Sequence, residues 1–239
     1  MKATLLGFIT VVCGLLTTSA SDHVRAATIT LTPQADAYLR DATARGALGF
    51  IDVRGGSIDF RGYVRFDLAA IPAGSTINSA SFALTQVSGA SRNDAVTTGR
   101  VSTYGLDNAV GNTPQNWDET TFVPADKGTE NVATLAGVID LDDNVTGISE
   151  SLSGTPAIFT VTGGPLASFL QTRFDDGALA TFILSNDEST DRGFGFGSKE
   201  NADPNTQPTL TIDFTPIPEP ASSVLLAAGL GLAALRRRV

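Results

Sequence analysis

The 239-residue chain is poor in the side chains that most enzyme and metal sites use. It contains one histidine, one cysteine, one tryptophan and one methionine. Cys13 and His23 both lie near the amino terminus, ahead of the first pattern typical of a β-strand. The remainder of the chain therefore offers no thiolate and no imidazole. This excludes disulfides, Cys/His zinc sites and nucleophilic chemistry of the Ser-His-Asp or Cys-His kind in that remainder.

Basic residues are also scarce. The chain has 16 Lys and Arg residues against 25 Asp and Glu residues, for a net charge of −9. Five of the basic residues and two of the acidic ones lie outside residues 27–217, so this span has 11 basic and 23 acidic residues and a net charge of −12. So acidic a domain should repel nucleic acid and anionic membranes. Neither is an expected partner of the domain itself.

The amino-terminal segment has the pattern of an export signal. Lys2 is followed by an apolar stretch over residues 5–16, the length expected for the core of a signal peptide. Residues 18–20 and 24–26 are both candidate cleavage sites, and the second is favoured because a strand pattern begins at Ala27. We therefore predict a signal helix within residues 1–26.

The carboxyl-terminal segment has three parts in order. The motif Pro218-Glu219-Pro220 precedes an uncharged apolar run over residues 221–235. A helix of that length rises about 22 Å, which is short of the roughly 30 Å hydrocarbon core of a bilayer. The run is therefore predicted to be a marginal transmembrane helix, with a buried core helix or an ordinary anchor as alternatives. A basic cluster follows, expected on the cytoplasmic side, that consists of Arg236, Arg237 and Arg238.

This three-part pattern resembles the PEP-CTERM sorting signal of Gram-negative bacteria. The resemblance implies that residues 216–239 engage the export machinery and exosortase, a membrane-embedded protease that cuts at the Pro-Glu-Pro motif. It also implies a protein that is anchored transiently in the inner membrane and then reaches the cell surface or the extracellular matrix. The membrane is then a partner only through this tail, before processing.

Between the two signals, short apolar alternations recur between clusters of Gly, Asn, Asp and Pro. This pattern predicts one all-β domain over residues 27–215. In one strand Tyr63 and Arg65 are expected on one face, and Val64 and Phe66 on the core side. The predicted strands cover residues 29–32, 37–40, 50–53, 63–67, 79–87, 100–103, 157–161, 178–185, 193–197 and 209–214.

One short helix is predicted inside the domain. Leu166, Phe169 and Leu170 have the i, i+3, i+4 spacing of a helix face, and Pro165 fits a first-turn position. We expect this helix to pack across one end of the β-sandwich.

A second resemblance covers nearly all of the predicted domain. The blocks that carry it look like the DNRLRE-type domain, a family of jelly-roll β-sandwiches related to alginate-binding carbohydrate-binding modules. The resemblance implies a jelly-roll β-sandwich and a carbohydrate ligand. In chain order, the blocks lie at residues 35–38, 61–84, 116–121, 158–162, 196–200 and 208–212.

Several basic and aromatic residues are candidates for binding an anionic polysaccharide. Arg and Lys make strong charge-assisted hydrogen bonds to the carboxylates of acidic sugars, and an aromatic face can stack on a sugar ring. The alternatives are that the basic residues form ion pairs that fix the sandwich, and that the tryptophan packs in the core. The candidates are Arg40, Arg61, Tyr63, Arg65, Trp117 and Lys199.

Oxygen-rich segments suggest a structural calcium ion. Calcium prefers six to eight oxygen ligands from loops rich in Asp and Asn. No segment has the EF-hand order of ligands, and solvated acidic loops are the alternative. No other cofactor is expected. The candidate ligands are Asp36, Asp140, Asp142, Asp187 and Asp191.

Three functions stay open at this point. The first is an exported non-catalytic surface or matrix protein that binds exopolysaccharide or is embedded in it. The second is a structural biofilm protein without a specific ligand. The third is a polysaccharide lyase or glycosidase, which we do not expect because no Asp or Glu lies in a recognisable catalytic motif.

Overall fold

The computed structural model describes residues 25–40, 43–55, 60–87, 101–106, 116–121, 138–142, 158–186 and 193–217. These residues form twelve strands, one α-helix and a 3-10 turn at Pro204–Thr206. The helix α1 is Gly164–Asp175. The strands are β1 (Ala27–Leu31), β2 (Ala35–Arg40), β3 (Thr43–Arg45), β4 (Phe50–Arg54), β5 (Phe60–Asp67), β6 (Thr76–Thr85), β7 (Ser102–Leu106), β8 (Val138–Asp142), β9 (Ile158–Thr162), β10 (Leu179–Ser185), β11 (Gly193–Gly197) and β12 (Thr209–Thr215).

The strands form two antiparallel sheets. The smaller sheet has the order β1-β12-β6-β9. The larger sheet has the order β11-β4-β5-β10-β7-β8, with β2 paired to β5 and β3 paired to β2. The prediction of an all-β domain with one short helix is confirmed in the described residues. The predicted signal helix and the predicted helix over 221–235 lie outside them. None of the helical structure in the described residues is long and apolar enough to cross a membrane.

Aromatic side chains join the inner faces of the two sheets. Phe82 of the smaller sheet stacks on Phe182 of the larger one, with ring centroids 4.4 Å apart. Phe66 meets both rings edge to face at 5.8 and 5.7 Å, geometries that favour aromatic pairs. All three side chains are fully buried. The two sheets thus pack face to face in a sandwich-like arrangement.

The helix α1 closes this core on one side. Its Leu166, Phe169 and Leu170 are buried, as predicted, and Phe169 packs edge to face on Phe182 at 5.6 Å. The helix contacts β6 and β9 of the smaller sheet and β8 and β10 of the larger one. It therefore covers the gap between the sheets.

Two strands were not predicted. The strand β3 has only three residues and pairs with β2 alone, and β8 pairs with β7. The strand β3 is too short to show an alternation, whereas in β8 the sequence does alternate Ile139 and Leu141 with Asp140 and Asp142, so that signal was available. The other ten strands match the predicted segments within a few residues.

Candidate functional site

Of the predicted site residues, Arg61, Tyr63 and Arg65 lie on the outer face of the larger sheet, and residues 116–121, which include Trp117, cover part of that face. The alternation along β5 is confirmed: Val64 and Phe66 enter the core between the sheets, whereas Tyr63 joins a second apolar cluster. That cluster buries the outer face instead of leaving it to solvent. Its members are Ala35, Ala37, Leu39, Tyr63, Tyr104, Leu106, Trp117 and Ile183.

Trp117 is the central residue of the segment that covers this face, residues 116–121, called the covering segment below. Its indole Nε1 donates a hydrogen bond to Thr181 Oγ1 at 3.1 Å, and its ring meets Tyr63 edge to face at 6.4 Å. Only 2% of the residue is exposed. A tryptophan held in this way packs the sheet face and leaves no free ring face for stacking on a sugar.

Arg65 holds the covering segment from below. Its Nη1 donates a 2.5 Å hydrogen bond to the Trp117 carbonyl, and its Cζ lies 5.1 Å from the centre of the indole ring. Burial lowers the pKa of Arg65, although the carboxylates of Glu119, Asp67 and Asp118 oppose that shift. Its Nε is buried and has no hydrogen-bond partner within the described residues. The guanidinium is therefore a desolvated cation held by a carbonyl and an aromatic face.

A local turn fixes the covering segment. The carboxylate of Asp118 accepts hydrogen bonds from the backbone and hydroxyl groups of Thr120 and Thr121 at 2.6–3.1 Å. These bonds, first those from Thr120, lower the pKa of Asp118 to about 2. Close packing of Gly46, the residue after β3, adds to this, since a Cβ there would lie 2.3 Å from the Glu119 carbonyl oxygen. The turn thus requires Asp at position 118, and the nearby carbonyl of Glu119 leaves room only for Gly at position 46.

Lys199 links the covering segment to the turn after β11. Its Nζ lies 3.1 Å from Glu119 Oε1 and also pairs with Glu200 Oε1. All three side chains are about one quarter exposed. Burial acts to lower the pKa of Lys199, but hydrogen bonds to Glu200 and Glu119 outweigh it and raise the pKa. The remaining oxygens, Glu119 Oε2 and Glu200 Oε2, are buried without a hydrogen-bond partner in the described residues.

Asp36 lies beneath this ion-pair cluster. The residue is 1% exposed, and its Oδ2 accepts a 2.7 Å hydrogen bond from the Lys199 backbone N–H. Burial raises its pKa to about 7, with the negative charges of Glu200 and Glu119 adding to the rise and Lys199 opposing it. Near neutral pH, Asp36 is therefore protonated in a large fraction of molecules.

A shallow polar depression of about 340 Å³ opens beside this cover. Two of the predicted carbohydrate residues, Arg65 and Trp117, line it. The exposed side chains at its mouth can hydrogen-bond to hydroxyl groups, and its acidic members disfavour an anionic ligand. The lining residues are Gln34, Ala35, Arg65, Asn116, Trp117, Asp118 and Glu119.

The other predicted carbohydrate residues are placed differently. Lys199 reaches this region through Glu119, as described above. Arg61 is buried on the same face as Tyr63, near the other end of β5. Arg40 is exposed at the end of β2, with its guanidinium 5.5 Å from the ring centre of Phe60. The six candidates thus do not form one surface, and carbohydrate binding by them stays a prediction.

The predicted calcium ligands are not gathered into one site. Asp36 meets the ion-pair cluster of Lys199. Asp140 and Asp142 lie on β8, paired with Tyr104 and Thr103 in the sheet ladder. Asp187 and Asp191 lie outside the described residues. Within the described ranges, no group of three or more His, Cys, Asp or Glu residues is arranged to hold a metal ion. A structural calcium stays a prediction.

Three residues that were not among the binding candidates contribute to the site. Glu119 and Glu200 provide the carboxylates for Lys199, and Thr181 accepts from the indole. Glu119 and Glu200 stand in the sequence next to predicted residues or within two positions of them, so proximity was an available signal for both. Thr181 had no such signal, because only the pairing of β10 with β5 brings it beneath Trp117.

The fold and site together define an acidic β-sandwich-like domain in which several charged and aromatic residues hold a segment over one sheet face. The particular assignment comes from the tail. Residues 216–238 match the PEP-CTERM protein-sorting motif, which confirms the predicted sorting signal. This signal marks an exported protein that passes through the membrane and is processed by exosortase. No curated protein matches the chain, and the DNRLRE-type resemblance stays a prediction.

Proposed function

We propose that this is a non-catalytic surface or extracellular-matrix protein, embedded in exopolysaccharide after exosortase has removed its tail. The sorting motif at residues 216–238 carries the proposal, because it assigns the route of the protein outward. The jelly-roll topology and the DNRLRE-type family belong to the same proposal. The cell that exports the chain is then a Gram-negative bacterium.

The engagement of the charged groups supports a non-catalytic role. Lys199 is paired with two carboxylates, and the Arg65 guanidinium packs over the indole ring of Trp117. Groups that hold one another in this way stabilise a cover over the sheet, whereas a general acid or base must reach a substrate. A polysaccharide lyase or glycosidase has less support from this arrangement.

We place the contact with polysaccharide at the polar depression beside the covering segment. Gln34, Asn116 and Asp118 are exposed at its mouth and can hydrogen-bond to sugar hydroxyls. A neutral or weakly charged glycan suits this mouth better than a highly anionic one, since Asp118 and Glu119 lie there. This modifies the expectation of an anionic ligand that the cluster of arginines suggested.

The sorting step is tested by replacing Pro218, Glu219 and Pro220 with alanine in a host that has exosortase. A carboxyl-terminal epitope tag should be lost from the unchanged protein and kept by the variant, which should stay in the membrane fraction. Equal loss of the tag from both proteins would contradict the proposal.

Polysaccharide contact is tested by affinity electrophoresis through gels that contain the exopolysaccharide of the host. We expect the unchanged domain to be retarded, and retardation to fall for Asn116→Ala and Gln34→Ala. Thr160→Ala is a matched control, because Thr160 is exposed on the smaller sheet. No retardation of the unchanged domain would favour the structural protein without a specific ligand.

A further inference from the structure

Both ends of the folded domain emerge at the same end of the smaller sheet. The first strand, β1, begins at Ala27, which pairs with Phe214 of β12. The last strand, β12, ends one residue later at Thr215. The predicted signal peptide and the sorting tail are therefore attached at neighbouring positions. Any membrane that holds one of them lies near the attachment point of the other.

The sorting motif begins almost directly after a fully paired strand. The strand β12 is bonded to β1 on one side and to β6 on the other, so it cannot detach without opening the sheet. Only Pro216 and Ile217 separate it from Pro218. The four Cα–Cα steps from Ile217 to Ala221 span at most about 14 Å when extended. The side of the domain that bears Ile217 thus stays within about 14 Å of the apolar run that begins at Ala221.

The loop between β5 and β6 lies at this same place and carries no charge. Its residues 68–75 read Leu-Ala-Ala-Ile-Pro-Ala-Gly-Ser, and Ala69, Ala70, Pro72 and Ala73 are exposed. The loop packs beside Ile217, because a Cβ at Gly74 would lie 2.8 Å from Ile217 Cδ1. An uncharged tip is unexpected on a span with a net charge of −12.

The loop is also well ordered. Ile71 is buried, its N–H bonds to the Leu68 carbonyl at 2.9 Å, and the Ser75 N–H bonds to the Pro72 carbonyl at 3.1 Å. Ile217, in contrast, is 60% exposed and is one of two large apolar side chains exposed in the described residues. A fixed apolar loop beside an exposed isoleucine forms a small surface suited to the interface of a bilayer.

Carboxylates border this surface on the side of α1. Asp67 is turned back on the loop, where its Oδ1 accepts a 2.8 Å hydrogen bond from the Ala69 N–H. Asp176 pairs with Arg173 at 2.6 Å, and Asp175 accepts from Gln171 at 3.1 Å. The acidic groups are thus engaged within the domain, and the apolar tip is the part free to meet lipid.

We propose that this apolar pole, defined as residues 69–74 with Ile217, rests on the outer surface of the bilayer while the tail is uncut. The contact holds Pro218-Glu219-Pro220 at the membrane surface, where a membrane-embedded protease acts. The inference rests on the proposed function, since it requires the sorting route. It assigns a lipid surface as a partner of the domain itself, beyond the tail.

Contact with lipid is tested on the chain with its tail uncut, purified from a host without exosortase. The protein is inserted into phosphatidylethanolamine and phosphatidylglycerol vesicles that contain head-group spin-labelled lipid. A fluorophore is attached at Ala73→Cys or at the matched position Ala202→Cys, which is exposed before the opposite end of β12. We expect quenching at position 73 and little at 202. Equal quenching at the two positions would overturn the proposal.

Processing provides the second test. Ala69→Glu and Ala73→Glu introduce charge on exposed positions and should leave the melting temperature unchanged. Because a charge is disfavoured near the membrane interface, we expect each to slow loss of the tail about fivefold, with Ala202→Glu as control. A ten-residue Gly-Ser insertion before Pro218 should restore the rate.

The two proposals fail in different ways. If the unchanged protein keeps its tail in a host with exosortase, the proposed function fails. If the unchanged protein is processed, and both glutamate variants are processed equally fast without the insertion, only the apolar pole is overturned.

Discussion

The outer faces of the two sheets follow the same alternation of side chains but differ in their exposure to solvent. On the smaller sheet, Thr30, Thr211, Ser81 and Thr162 are in register across all four strands. Their side chains are exposed or half-buried, and Thr30 and Thr211 share a 3.1 Å hydrogen bond between hydroxyl groups. The corresponding face of the larger sheet carries arginines, tyrosines and an aspartate that are almost completely buried.

The difference lies in a segment distant in the chain. Residues 116–121, held by Arg65 and Lys199, cover the part of the larger sheet's outer face around Tyr63 and Thr181. Nothing of the described chain contacts the smaller sheet in that way. A face of small hydroxyl side chains is well solvated by water. A face with large aromatic and charged groups is stabilised when another segment covers it. Thus the alternation tells which face a residue is on, and the covering segment decides whether that face is exposed.

Removing the Trp117 side chain should have the largest effect on the difference in exposure between the two sheet faces. In Trp117→Ala, the cluster around Tyr63 and Ile183 loses its cover and Thr181 loses its donor. We expect a loss of about 3–5 kcal/mol in the free energy of unfolding, measured by urea denaturation of the domain. Trp117→Phe is the control and should lose clearly less, since it keeps most of the apolar contact. A loss below 1 kcal/mol for Trp117→Ala would show that the segment contributes little to the fold.

Between pH 5 and pH 8, a change of pH should act through Asp36 on the ion-pair cluster of Lys199 and leave the exposed face of the smaller sheet unaffected. The folded pKa of Asp36, about 7, lies above its ordinary value of 3.8. For a carboxyl group with a raised pKa, stability is fully present below the unfolded pKa and is lost as pH rises through the folded value. We therefore expect the free energy of unfolding to fall by about 3 kcal/mol between pH 5 and pH 8.

The substitution Asp36→Asn identifies the source of this pH dependence. Asparagine can still accept the hydrogen bond from the Lys199 N–H but does not titrate. The variant should lose most of the slope between pH 5 and pH 8. Asp118 and Asp213, whose pKa values are lowered, titrate below this window and should not mask it. An unchanged slope in the variant would assign the effect to another group.

The sequence was sufficient for ten of the twelve strands in the described residues and insufficient for the cover. The alternation in β5 correctly separated Tyr63 and Arg65 from Val64 and Phe66, because a side-chain period of two is a local property. The burial of Tyr63 and Arg65 depends on Trp117, which is 52 positions from Arg65. No local pattern contains that contact. The binding surface that the basic side chains suggested stays a prediction, and in the structure Arg65 and Lys199 hold the covering segment.

The pairing of Lys199 with Glu119 should make a smaller contribution to the covered face. Both side chains are about one quarter exposed, and Glu200 competes for the same ammonium group. A double-mutant cycle with Lys199→Met and Glu119→Gln should give a coupling energy of about 1 kcal/mol. The coupling should decrease in 1 M salt, because partly exposed pairs are screened. A value near zero would leave the aromatic packing of Trp117 as the main contribution to the cover.

The smallest effect is expected on the uncovered face. Thr211→Val keeps the shape and the strand preference of the side chain and removes one hydroxyl, whose partner Thr30 is exposed and can bond to water instead. The free energy of unfolding should therefore change by no more than about 0.5 kcal/mol. Thr181→Val makes the same chemical change beneath Trp117 and removes the hydroxyl that accepts from the buried indole N–H, so a loss of about 1–3 kcal/mol is expected. Equal effects of the two substitutions in parallel urea titrations would mean that the two faces do not differ in exposure as the structure shows.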